Sequence, residues 1–126
     1  MATAITNIQT VLNTGTTSTP TAATSDVANL VEVFVFTPTK SKYVIQIDNV
    51  SGANGSVTYS MAIGTHWAAT VPLTGTVLQG TSQVLELDTA RAVGALGAMS
   101  LTVTPASGKK LLTDHALTIQ GIQLVD

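Results

Sequence analysis

The stretch KYVIQIDNVSGANGSVTYSMAIG (42–64) decides how this chain folds. In its first half Tyr43, Ile45 and Ile47 alternate with Val44, Gln46 and Asp48. In its second half Val57, Tyr59, Met61 and Ile63 alternate with Thr58, Ser60 and Ala62. Successive side chains of an extended strand point to opposite faces, so a period of two built from aromatic and β-branched residues describes strands lying on a core. Between the halves stands SGANGS (51–56). Its Asn54-Gly55 pair tolerates positive φ at both positions and predicts a hairpin turn.

The same pattern spreads outward. LVEVFVF (30–36), stopped by Pro38, SQVLELD (82–88), MSLTVTP (99–105) and HALTIQGIQLV (115–125) all read as strands. In the last of these the apolar positions shift phase, from Leu117 and Ile119 to Ile122 and Leu124, which predicts a β-bulge at Gly121. THWAATVPLTGTVLQGT (65–81) fits a long loop or two short strands. TARAVGALGAM (89–99) has room for one short helical turn, with two glycines against anything longer. The expected fold is all-β, an antiparallel β-sandwich of jelly-roll-like or Ig-like type.

Composition narrows the function. The 126 residues make one domain, 44% hydrophobic and only 10% charged, where about a quarter charged is usual. Disordered chains combine low hydrophobicity with high net charge, so this is a folded chain with a polar, uncharged surface. Such a surface is cheap to desolvate and suits packing against other chains. The five basic residues, Lys40, Lys42, Arg91, Lys109 and Lys110, are scattered, and the net charge is -2. No basic patch forms to neutralise a phosphate backbone, so nucleic acid is not an expected partner. There is no cysteine, which excludes disulfides and thiolate metal sites. The N-terminus lacks the basic and continuous apolar regions of a signal peptide, and no apolar run is long enough for a membrane span. The expectation is a protein made inside a cell, with no export address and no membrane partner.

The leader MATAITNIQTVLNTGTTSTPTAATS (1–25) holds nine threonines and no charge; Asp26 is the first charged residue. Its large apolar groups, Ile5, Ile8, Val11 and Leu12, all precede residue 13, and the remainder has the Gly, Pro and Ser of a linker. Ordering a residue costs about 1–2 kcal/mol, and four apolar side chains at about 1.5–3 kcal/mol each do not offset that over 25 residues, so either the arm stays mobile or added backbone pairing, to another chain among the options, orders it. The expected layout is an extended N-terminal arm and linker (1–25) followed by a sandwich (26–126). Ile5, Ile8, Val11 and Leu12 are then the candidate contacts with another chain.

Residues for chemistry are few. A nucleophile needs a base, and the only histidines, His66 and His115, stand in no catalytic motif. Glu86 and Asp88, two apart on one strand face, have roughly the separation of a glycosidase pair. Such pairs flank a sugar from different elements, so these two read as a solvated face. Asp48 with them could form at most a weak Ca²⁺ site, without an EF-hand-like loop. No enzyme activity, catalytic residue, cofactor or metal is therefore expected. Trp67, in GTHWAAT (64–70), caps one end of the sandwich in one reading and is a candidate surface platform in the other. On that reading the chain is an adhesin or carbohydrate-binding β-sandwich module. The sequons at Asn49 and Asn54 read as chance matches without a secretory signal.

The order KSKYVIQIDNVSGANGSVTYSMAIG, then SQVLELDTARAV, then TIQGIQLV, resembles small β-sandwich virion proteins of tailed bacteriophages, the capsid decoration (cement, or head auxiliary) proteins. The positions carrying the likeness are Lys42, Asp48, Asn49, Gly52, Ala62, Gly64, Leu87, Ala90 and Arg91. It covers roughly residues 40–92 and, more loosely, the last strand. Ala92-Val93 departs from the aromatic that usually follows the Arg, and the long Thr-rich arm is not general to the family. The resemblance implies a virion structural protein on the outer capsid surface, bound to the major capsid protein. It also implies a homo-oligomer, often a trimer, that stabilises the filled head.

Overall fold

The computed structural model describes residues 2–49, 54–61, 73–88 and 98–124, and every regular element within them is a strand. In chain order these are β1 (Ala2–Ile5), β2 (Asn7–Gln9), β3 (Thr21–Ala22), β4 (Glu32–Phe36), β5 (Lys42–Asn49), β6 (Val57–Met61), β7 (Leu73–Val77), β8 (Thr81–Asp88), β9 (Met99–Thr104) and β10 (Thr118–Gln123). They form two sheets, one ordered β1-β4-β9-β6-β7 and the other β2-β10-β5-β8, with β3 also paired to β10. The expected all-β sandwich is thus the architecture, with one amendment. The sheets are mixed, because β1 lies parallel to β4 and β2 parallel to β10.

The inward side chains of both sheets meet in one core. Phe34, Phe36, Tyr43, Ile45, Ile47, Met99 and Leu101 are fully buried there. The Phe36 and Tyr43 rings, from opposite sheets, pack edge to face with centroids 5.8 Å apart, a geometry aromatic quadrupoles favour.

The stretch 42–64 supplies two strands, β5 and β6, yet they are not a hairpin. β5 pairs with β8 and β10, and β6 pairs with β7 and β9 in the other sheet. Both halves carry a wholly apolar face. Placing them in opposite sheets lets Tyr43, Ile45 and Ile47 face Val57, Tyr59 and Met61 across the core, where a hairpin would set them side by side. Gly55 keeps the positive φ that the Asn-Gly pair signals, at 95°. Asn49 ties the crossing, its Nδ2 donating to the carbonyls of Gly55 at 3.1 Å and Val77 at 3.2 Å.

The bulge at Gly121 does not occur. β5 and β10 stay in unbroken register from Thr118 opposite Asp48 to Gln123 opposite Tyr43. Gly121 faces inward beneath the Tyr43 ring, where a Cβ would collide with the ring and its hydroxyl. The aromatic fills the space a side chain would have taken. Ile122 faces outward beside Ile8, its register partner. The apparent phase shift is therefore a covered glycine on one face and a second apolar contact on the other. Tyr59 covers Gly75 of β7 in the same way.

The N-terminal leader also departs from expectation. Ala2–Ile5 extends the edge of one sheet; the chain crosses at Thr6, and Asn7–Gln9 extends the edge of the other. Ile5 is 4% exposed and Ile8 8%. The sandwich therefore includes Ala2–Ile5 and Asn7–Gln9, and residue 26 does not divide arm from domain. A tally of apolar side chains omits what holds this segment: backbone ladders on both sheets and one buried carboxylate. Glu32 is fully buried. It accepts from Thr3 Oγ1 at 2.6 Å, from the Thr24 amide at 2.9 Å and from the Ser25 amide at 2.8 Å. Charge-assisted bonds of this kind are about twice as strong as neutral ones.

Candidate functional site

Strand register settles what each outer face displays. On the β1-β4-β9-β6-β7 sheet, antiparallel partners share a face, so Thr104, Thr58 and Thr76 form one rank across three strands and Thr102, Ser60 and Thr74 form the next. Neighbours within a rank sit about 5 Å apart and the ranks about 7 Å apart. Together they line a shallow trough of about 380 Å³. Toward β1 the second rank continues through Val33 to Ala2, and a further row of Ser100, Val35 and Ala4 lies beside it. Among the described residues this outward face carries no charge.

The opposite face is different in kind. Lys42 stands across from Asp88, and Val44 from Glu86. Gln120 Nε2 donates to Gln46 Oε1 at 3.0 Å, and Gln46 Nε2 to Asp48 Oδ1 at 3.1 Å. Ser18 Oγ donates to Gln120 Oε1 at 2.6 Å, which lays the chain after β2 back across this face. Ile8 and Ile122 lie under that segment, beside a second trough of about 330 Å³.

The expected contact residues are split by the fold. Ile5 is in the core and Ile8 is covered on the outer face of its sheet, so neither is free to touch another chain while seated there. Val11 and Leu12, 58% and 72% exposed, form the tip of a turn closed by the Thr14 amide donating to the Val11 carbonyl at 3.2 Å. Trp67 and His66 lie outside the described residues, as do Gly52, Ala62, Gly64, Ala90 and Arg91.

Glu86 and Asp88 are exposed on β8, an edge strand, and face outward together as the alternation predicts. Among the described residues no three His, Asp or Glu side chains come together as a metal site. No described helix is long and apolar enough to cross a membrane. His115, which stands in no catalytic motif, is fully buried. Its Nε2 accepts the Ala106 amide at 3.1 Å and its Nδ1 lies 3.2 Å from Asn49 Oδ1. Accepting at Nε2 places the proton of the neutral ring on Nδ1, which donates to Asn49. Burial lowers its pKa below the usual 6.5; Lys109 acts in the same direction and Asp114 opposes it. Burial likewise raises Tyr43 and Tyr59 above the usual phenol value. Tyr43 donates to Asn7 Oδ1 at 2.5 Å and Tyr59 to Gln83 Oε1 at 2.8 Å. These groups pin strands to one another.

The hydroxyl ranks were not singled out from sequence, though their signal is visible in it. T-x-S at 58–60, T-x-T at 74–76 and T-x-T at 102–104 are the polar half of a period-two pattern. Only the strand order brings the three into adjacent register. Comparison with protein-family models, with curated proteins and with solved structures returns no match to this chain.

Proposed function

We propose that this protein is a capsid decoration (cement) protein. It binds the outer surface of an assembled phage head through the major capsid protein and stabilises the shell as a homo-oligomer, with a trimer as the expected form. The observation that carries this reading is the uncharged hydroxyl face of the β1-β4-β9-β6-β7 sheet. Burying a charge is expensive unless it is paired, whereas a hydroxyl is both donor and acceptor and finds partners on many surfaces. Interface cores are depleted in charge for that reason. The charged face on the other side of the sandwich then faces solvent. The sequence resemblance around Lys42, Asp48 and Asn49 supports the same reading.

The test is co-sedimentation of the purified protein with undecorated heads of a tailed phage, followed by electron microscopy of the particles. Saturable binding at symmetry-related sites with the hydroxyl face against the shell is expected. No binding to heads, together with glycan-array binding that depends on Trp67, would replace this reading by the carbohydrate-binding one.

A further inference from the structure

The first eight described residues are held as a separable piece, and we propose that they are exchanged between copies of this chain. In the exchanged form, Ala2–Gln9 of one copy occupies the β4 and β10 edges of a second copy. The inference holds whatever surface the protein binds.

The slot for this segment is built entirely by later residues. Glu32 receives the Thr3 hydroxyl. The Thr37 carbonyl accepts from Asn7 Nδ2 at 2.8 Å, and the Tyr43 hydroxyl donates to Asn7 Oδ1. Gln123 Nε2 donates to Gln9 Oε1 at 3.3 Å. Ile5 enters the core beside them. Every one of these contacts is satisfied equally by a strand from another copy. Both pairings are at sheet edges and both are parallel, so the segment leaves without breaking any ladder among the other strands.

The connection has the necessary slack. Gln9 lies opposite Gln123 and Thr21 opposite Ile119, four residues apart along one strand edge, or about 13 Å. The eleven residues 10–20 that join them can span about 36–40 Å. Residues 11–20 are all exposed, and their side chains carry no charge to desolvate in passing to a neighbour. Because the slot contacts are conserved, concentration decides the outcome. The chain's own segment presents itself at an effective concentration in the millimolar range, so exchange sets in when copies are held comparably close, as they are within an assembly.

The chain has no cysteine, so a disulfide can report which chain fills the slot. Ala4 and Val35 are register partners on the outer face. The double variant Ala4→Cys/Val35→Cys should close within one chain when dilute. The two single variants, mixed, refolded together at about 1 mM and oxidised, should give a disulfide between the two chains. Its yield should exceed that at about 10 µM by at least tenfold. Absence of that product, with the double variant closing normally, overturns the proposal. A second variant needs no cysteine. Deleting Val11–Thr19 leaves three Cα steps from Gln9 to Thr21, about 10–11 Å, too short to close on the same body. It should elute at twice the monomer mass or more, and a folded monomer would also overturn the proposal.

Discussion

His115 Nδ1 meets Asn49 Oδ1 at 3.2 Å inside the end of the sandwich, while the Ala106 amide donates to the other ring nitrogen. One neutral imidazole thereby joins the β9–β10 connection to the end of β5, and through Asn49 to the carbonyls of Gly55 and Val77. A proton on Nε2 would face the Ala106 N–H and remove that bond. The folded-state pKa is lowered, by burial first. Above the unfolded value of about 6.5 both states are neutral and the full stability is present. Below it the unfolded chain takes up a proton that the folded chain refuses, so stability falls as pH drops toward the folded pKa. Urea unfolding should show a loss of up to about 1.4 kcal/mol per pH unit below pH 6.5. His115→Gln should lower stability at pH 7.5 and flatten that slope. An unchanged slope would remove His115 from the account.

Ile5 and Leu12 should behave in opposite ways although both belong to one apolar-tipped leader. Ile5 is 4% exposed and Leu12 72%. Ile5→Ala opens a cavity in the core and should cost about 2–5 kcal/mol. Leu12→Ser should stay within about 0.5 kcal/mol of the parent. Thermal unfolding of the two variants side by side checks this. Equal small effects would mean that residues 2–9 do not belong to the cooperative unit.

This contrast shows where sequence reasoning held and where it stopped. Period-two patterns located β4, β5, β6, β8, β9 and β10, because each buries one face and its alternation is local information. Partner choice is not local. The Asn54-Gly55 signal was present and its positive φ is real, yet the chain crosses to the other sheet, since two apolar faces gain more by meeting across a core. Ile5 and Ile8 looked like a mobile anchor because ladder bonds, and the distant carboxylate of Glu32, are invisible in a count of apolar residues. The hydroxyl ranks needed the order β9-β6-β7 before three separate T-x-T-like triplets became one surface. His115 carried no signal of burial, its partners lying 9 and 66 residues away.

Ser25 is fully buried and its Oγ has no hydrogen-bond partner. Its amide donates to Glu32 and its carbonyl accepts from Leu112, so the backbone is held whatever the side chain is. A buried hydroxyl without a partner costs about 1–3 kcal/mol in desolvation. Ser25→Ala should therefore stabilise the protein, by about 1 kcal/mol, read as a higher denaturant midpoint with unchanged slope. A loss of stability would show that the hydroxyl is satisfied in solution.

Gly121→Ala places a Cβ against the Tyr43 ring and should destabilise strongly, by about 1–3 kcal/mol for the overpacking alone. Tyr43→Leu removes the ring and loses its packing against Phe36 and its bond to Asn7. The two should not add. With the ring absent the alanine methyl has room, so the double variant should be more stable than the sum of the single effects predicts. Strict additivity in this cycle would show that the glycine is not required by the tyrosine.

Thr58 and Thr102 provide the direct test of the hydroxyl face. Thr58 is exposed and Thr102 half-buried. Both point away from the core; Thr58 is the middle of its rank and Thr102 the β9 end of the next. Thr58→Lys and Thr102→Glu keep the stems that strands tolerate while placing one charge on a surface that has none among the described residues. Substitutions away from core and polar networks usually change stability by no more than about 0.5 kcal/mol, so unfolding temperatures should be nearly unchanged. Docking would desolvate the new charge without a partner, a penalty of several kcal/mol. Binding to undecorated heads should then fall by at least a hundredfold, since each 1.4 kcal/mol is a factor of ten. Glu86→Lys, on the opposite face, is the control and should bind as the parent does. If the control loses binding and the Thr variants keep it, the contact surface is the β2-β10-β5-β8 face. The decoration reading would then stand with its orientation reversed.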